Sequence, residues 1–184
     1  GRELGVDTIT LARDARLGAA RVLELALDEA CRQGFRVIAC TDPISTPQSY
    51  YLTLKVSLEH PDTMGLTITA SHNPQQYIGV KFTVPTVRAI GLDCGPNGGL
   101  TRIRELYHSN ERAASREGDG LRMVNLTREY IEFSMRQAGI EPGQLSGLSV
   151  VLDAFHGSAG PEIMTALQQA GVRVEPLRVI PDGH

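Results

Sequence analysis

Lysine is almost absent from this 184-residue chain: the basic residues are arginine except for Lys55 and Lys81, so each lysine calls for a reason. Charge of one sign is missing as well. Eighteen basic and 21 acidic residues leave a formal net charge of −3, without the single-sign field that recruits nucleic acid or an anionic membrane. A small-molecule partner is the expectation that remains. No apolar run approaches the roughly 18 to 20 residues of a membrane span, and the first residues lack the basic-then-apolar layout of a signal peptide, so a cytosolic protein is expected. Cys31, Cys40 and Cys94 are odd in number and widely spaced, which argues against a disulfide framework or a zinc site and for reduced thiols serving as buried apolar filler.

What is present is alternation. GRELGVDTITLARDAR reads as a last helical turn stopped by Gly5, then a strand from about Asp7 to Leu11 and a basic loop; a helix whose body is absent suggests a truncated chain. From Leu17 to Gly34 the apolar residues Ala19, Val22, Leu23, Ala26, Leu27, Ala30 and Cys31 recur at three-and-four spacing, one buried face of a helix closed by Gly34. Phe35 to Cys40 reads as a short buried strand, STPQSYYLTLKVSLEH as a helix with Pro47 in its first turn, and GLTITA as another strand. Strand, helix, strand, helix, strand predicts a mainly parallel sheet covered by helices.

Further on, the pattern predicts a strand around Gly79 to Thr83, a turn at CGPNGG and a helix from about Thr101 to Ser109. The polar segment SNERAASREGDG places a domain boundary near Arg116 to Gly120. A helix capped by Asn125 or Thr127 and reaching Gln137 follows, then strand, glycine turn, helix and strand up to PDGH. One such unit is too little sheet to bury both faces. The expected fold is therefore α/β: a three-layer α/β/α domain with a mainly parallel mixed sheet over residues 1–118, and the start of a similar α/β/α domain over 119–184.

Chemistry concentrates in TITASHNPQQYIGVKF, Thr67 to Phe82. If TITA is a strand, Ser71 stands beyond its carboxyl end, where parallel sheets gather ligands. Pro74 pre-sets a following turn whose amides could face an anion held on Ser71. On turn chemistry alone, Ser-His-Asn-Pro is equally a good way to stop a strand.

TASHNPQQYIGVK resembles the phosphoserine signature of the α-D-phosphohexomutases, the family of phosphoglucomutase, phosphomannomutase and phosphoglucosamine mutase. LARDARL, ISTP and VVLDAFHGSAGP resemble, in order, the family's arginine-aspartate-x-arginine loop, the segment before its next helix and the opening of its second domain. The resemblance implies a phosphorylated Ser71 that gives its phosphate to one hydroxyl of a hexose phosphate and takes another back from a hexose 1,6-bisphosphate. It implies catalytic roles for Ser71, Lys81 and His72, with Lys81 as general acid/base, and phosphate or substrate contacts for Asn73, Arg13 and Arg16. It further implies Mg²⁺ bound through the phosphate of Ser71. The family's N-terminal segment, aspartate-rich metal loop, sugar-reading loop and C-terminal phosphate-binding domain have no match in these 184 residues, so the chain alone is expected to be inactive. Glucose, mannose and glucosamine phosphates are not separated. Ile78 stands where the family usually has asparagine, which leaves a non-catalytic sugar-phosphate-binding protein of the same fold as the alternative.

Three other patterns carry no function. Asp153, His156 and Ser158 bring triad residue types together but lack the glycines of a nucleophile elbow. CGPNGG lacks the lysine of a P-loop, and Asn125-Leu126-Thr127 is read as a helix cap, not a glycosylation acceptor.

Overall fold

The computed structural model describes residues 1–109, 114–116, 118 and 120–183. Strand β1 (Thr8–Arg13), helix α1 (Ala19–Arg32), strand β2 (Arg36–Pro43), helix α2 (Thr46–Glu59) and strand β3 (Thr63–Ile68) alternate along the chain. The antiparallel β4 (Val80–Val84) and β5 (Arg88–Ala89) and helix α3 (Gly99–Ser109) follow. β1 pairs in parallel with both β2 and β3, the mixed and mostly parallel sheet that the alternation predicts. Arg2–Leu4 form one tight 3-10 turn, ended by Gly5 in the left-handed region at φ 68°.

The period of two in β1 sorts the layers. Ile9 and Leu11 join a core with Ala19, Leu23, Leu27 and Ala30 of α1. Ala12 on the other face joins Ile38, Cys40, Leu52 and Val56 on the α2 side. Fully burying side chains such as Leu11 or Leu23 stabilises by about 1.5–3 kcal/mol each. The α2 interface is partly hydroxylic: Thr10 Oγ1 meets Thr53 Oγ1 at 2.7 Å and Ser49 Oγ meets Thr67 Oγ1 at 2.7 Å. Gly65 permits this close crossing, since a Cβ there would fall 2.4 Å from Thr83 Oγ1 and 2.5 Å from Thr53 Oγ1. Of the three unpaired cysteines only Cys40 is buried; Cys31 is half-buried and Cys94 exposed, which corrects the expectation of buried filler.

The expected boundary near 116–120 falls on a stretch in which residues 117 and 119 lie outside the described residues. The first sheet takes its sixth strand from beyond it, because β6 (Leu121–Met123) pairs in parallel with β2. Helix α4 (Thr127–Ala138) then begins with Thr127 N–H donating to Asn125 Oδ1 at 3.0 Å. A second, two-stranded sheet is built from β7 (Ser149–Asp153), the crossover helix α5 (Gly160–Gln169) and the parallel β8 (Arg173–Leu177). Its core gathers Ile131 and Met135 of α4 with Ala170 and Val172.

Where α5 meets the first unit it buries a carboxyl group, that of Glu162, only 7% exposed. With its amide nitrogen turned toward α5, Gln48 donates to Glu162 Oε2 at 2.7 Å and accepts from Thr127 Oγ1 at 2.7 Å. Burial raises the Glu162 pKa above the ordinary value, and a hydrogen bond with Ser45 offsets only part of this. The folded state thus holds this proton more tightly than the unfolded chain. Its contribution to stability is fullest below the unfolded value near 4.5 and is lost as pH rises through the folded value. Glu162→Gln, which stays neutral and keeps the hydrogen bonds, is expected to melt a few degrees above wild type at pH 7.5 and level with it near pH 4. Thermal unfolding across that range is the check. A gap that widens toward low pH is the opposite result.

Candidate functional site

A cleft of about 520 Å³ lies past the carboxyl ends of β1, β2 and β3. Each strand runs into a loop on its rim: Asp14–Arg16 after β1, Ile44–Pro47 after β2 and Thr69–Gln75 after β3. Lys81, on the neighbouring antiparallel strand β4 and opposite Thr67 in register, reaches the same cleft. The turn after β7, Phe155–Ala159, lines it as well. Of the residues singled out from sequence, Ser71, His72, Asn73, Lys81 and Arg16 meet here. Arg13 does not line the cleft; its guanidinium donates to the Asp14 carbonyl at 3.1 Å, and its charge bears on the Cys40 thiol.

Ser71 is exposed and sits at φ 54°, left-handed geometry that costs an L-residue roughly 1 kcal/mol or more. Local bonds hold it there: its N–H donates to Thr69 Oγ1 at 3.0 Å, and the Asn73 N–H donates to the Ala70 carbonyl at 3.0 Å. At the loop's base Thr69 N–H donates to the Gly79 carbonyl at 3.0 Å, and a Cβ at Gly79 would come 3.0 Å from the Thr69 carbonyl oxygen. After Pro74 the chain makes a turn closed by the Tyr77 N–H on the Pro74 carbonyl at 3.0 Å.

Arg16 clamps this loop from beneath. Nη2 donates to the carbonyls of Ser71 (2.8 Å) and Asn73 (2.7 Å), and Nη1 to those of Pro74 (2.8 Å) and Tyr77 (3.2 Å). Nε donates to Asp14 Oδ2 at 3.2 Å, while Asp14 Oδ1 accepts the backbone N–H of Arg16 at 3.0 Å. A guanidinium has five N–H donors, and all five are engaged. Arg16 therefore has no donor left for a phosphate in this arrangement; it shapes the loop that would carry one. Ile78 packs on the start of α1, where a Cβ at Gly18 would come 3.3 Å from its Cδ1. The loop thus closes without an asparagine side chain at that position.

The sequence reading passed over what the second unit brings. Ser158 Oγ accepts the Ala15 N–H at 2.8 Å, docking the turn after β7 onto the loop after β1. His156 lines the cleft, with Nδ1 2.9 Å from the Ile180 carbonyl oxygen and 3.3 Å from Asp182 Oδ2. Asp153 is turned to Arg178, whose hydrogen bond is the main reason its carboxyl titrates below the ordinary range. Asp153, His156 and Ser158 each have a different partner, so no triad assembles. Among the described residues no group of three or more His, Cys, Asp or Glu side chains stands close enough to hold a metal ion. No described helix is long and apolar enough to cross a membrane.

Residues 2–93 match the family model described as phosphoglucomutase/phosphomannomutase, alpha/beta/alpha domain I. A phosphoglucosamine mutase of Polynucleobacter asymbioticus is 31% identical over 96% of this chain and 37% of its own length. Another, of Anaeromyxobacter dehalogenans, is 28% identical over 95% of this chain and 39% of its own length. The crystal structure of a phosphoglucomutase/phosphomannomutase family protein from Burkholderia thailandensis superposes with a TM-score of 0.76 at 25% identity, covering 99% of this chain and 38% of that one. The chain spans under two-fifths of the length of these relatives.

Proposed function

This chain belongs to the phosphoglucomutase/phosphomannomutase, or α-D-phosphohexomutase, family, and on that premise we propose that it forms the phosphoserine side of a hexose-phosphate mutase site. The carrying observation is Ser71 itself: an exposed hydroxyl on a strained backbone, in a loop fixed by four donors of Arg16 and facing the same cleft as His72 and Lys81. In the proposed reaction the Oγ–P bond of phosphorylated Ser71 breaks as a P–O bond forms to a hydroxyl of the hexose phosphate. The hydroxyl proton passes by way of Lys81 to the departing Ser71 Oγ, leaving a hexose 1,6-bisphosphate and a free serine hydroxyl. Reversal at the other phosphate restores the phosphoserine and returns the proton. Transfer of this kind depends on positioning and charge, which the clamped loop and the cleft's cationic and imidazole groups supply.

Mg²⁺ is proposed as the counter-ion of the phosphorylated serine. It favours oxygen ligands in octahedral geometry, and among the described residues no group of three or more His, Cys, Asp or Glu side chains supplies such a set. Within the hexose phosphates, glucosamine phosphate is the first substrate to assay, because the relatives cited carry the name phosphoglucosamine mutase.

The test is the phosphorylation state of Ser71 in the protein purified from its own cells. Peptide mapping should place a phosphoryl group on Ser71, and supplied hexose 1,6-bisphosphate should restore it after phosphatase treatment. Persistent absence of phosphate from Ser71 under both conditions would sink the proposal.

A further inference from the structure

We propose that His156, contributed by the second unit, is a phosphate-binding residue of the Ser71 cleft: its Nε2–H donates to an oxygen of the phosphoryl group carried there. This rests on the reading of the cleft as a phosphoryl-transfer site and adds to it a residue from the turn after β7.

Three observations converge on the histidine. The first is its backbone. Phe155 at φ 50° and His156 at φ 56° are consecutive left-handed residues without a glycine, a conformation that persists only where its surroundings impose it. The surroundings do so here: Phe155 N–H donates to Asp153 Oδ1 at 3.1 Å and His156 N–H to the Arg178 carbonyl at 2.8 Å. The Arg178 guanidinium lies over the Phe155 ring at 4.2 Å.

The second is the ring. Nδ1 faces two oxygens, the Ile180 carbonyl at 2.9 Å and Asp182 Oδ2 at 3.3 Å. A carbonyl oxygen only accepts, so the Nδ1 side must carry the hydrogen. This contact fixes the ring's orientation and leaves Nε2 as the nitrogen for a ligand, the arrangement by which proteins aim a histidine. With Nδ1–H so held, Nε2 is an acceptor in the neutral ring and a charged donor in the imidazolium, the form that suits an anionic oxygen.

The third is placement. Ser158, two residues on, is held on the Ala15 N–H, and Gly183 packs so tightly against the same loop that a Cβ there would lie 2.5 Å from the Ala15 carbonyl oxygen. The segment bearing Ile180 and Asp182 and the turn bearing His156 are thus both seated on the loop that carries Arg16. Arg16 in turn holds the Ser71 loop, so backbone and side-chain contacts connect the imidazole to the serine continuously.

The experiment uses inorganic phosphate as the probe and reads ring nitrogens and backbone amides of the wild-type protein by NMR. Phosphate should shift the His156 Nε2 signal together with the amides of Ser71, His72 and Asn73. His156→Asn, which tolerates the left-handed backbone, should bind phosphate roughly tenfold more weakly, with amide signals outside the cleft unmoved. If the Ser71–Asn73 amides respond while the His156 ring does not, or the variant binds as tightly as wild type, His156 is no ligand and the cleft's function stands without it. If neither the loop nor the ring responds, the phosphate cleft and this proposal fall together. The wild-type ring signal decides even if the variant does not fold.

Discussion

Ser71→Ala is expected to abolish phosphoryl transfer in the native protein, at the length the cell makes it, and to leave the fold intact. The two effects separate because the bonds that fix Ser71 run through its backbone: its N–H to Thr69 Oγ1 and its carbonyl to Arg16 Nη2. Alanine keeps both. The side chain is exposed, so removing its oxygen opens no cavity. A left-handed alanine differs little from a left-handed serine, and the change in stability should stay within about 1 kcal/mol. What disappears is the oxygen proposed to hold the phosphoryl group between the two half-reactions, so no residual pathway is expected beyond background. Turnover on hexose 1-phosphate, with thermal melting measured alongside, checks it. A variant that melts like wild type and still turns over near the wild-type rate removes Ser71 from the mechanism.

Arg16→Lys should lose roughly 10²-fold or more in turnover while the Michaelis constant for the sugar phosphate changes little, since small displacements of a reacting group carry penalties of that order. Lysine preserves the charge but offers three donors from a single point, and it cannot span the carbonyls of Ser71, Asn73, Pro74 and Tyr77 with the carboxylate of Asp14 as well. The reading from sequence, in which Arg16 contacts phosphate, makes the opposite forecast: lysine would partly substitute, and the loss would fall mainly on binding. Arg16→Ala supplies a second readout. Added guanidinium ion at non-denaturing concentration should recover part of its activity, whereas added ammonium should not. Equal recovery by both ions would mean that positive charge, not the fork, is what the loop requires.

The alternation of strand and helix was legible in the chain because two periods survive in it. Ile9 and Leu11 against Thr8 and Thr10 mark a strand between two helical layers, and Ala19, Leu23, Leu27 and Ala30 mark the one face that α1 buries. The serine loop was legible as a motif, because its Ser, Asn, Pro and Gly lie within a dozen residues; the Arg16 clamp that holds its shape was not. Hydroxyl-lined contacts were less so. α2 buries Ser49 and Thr53 against Thr67 and Thr10, and a polar residue that is satisfied by another polar residue leaves no apolar stripe to read.

The sequence by itself determined the layers, the serine loop and the family; the tertiary structure decided the roles within the site. Arg16 lies 55 residues before Ser71, and its acceptors are main-chain carbonyls, which every residue possesses and no sequence pattern announces. β6 joins the first sheet through three exposed residues paired only by backbone, so no periodicity marks it. His156 enters the cleft because Ser158 docks on Ala15, 143 residues away. The physical reason is common to all three. Side-chain periodicity records what a residue buries, whereas backbone hydrogen bonds between distant segments depend on where the chain has been carried, and only the folded arrangement specifies that.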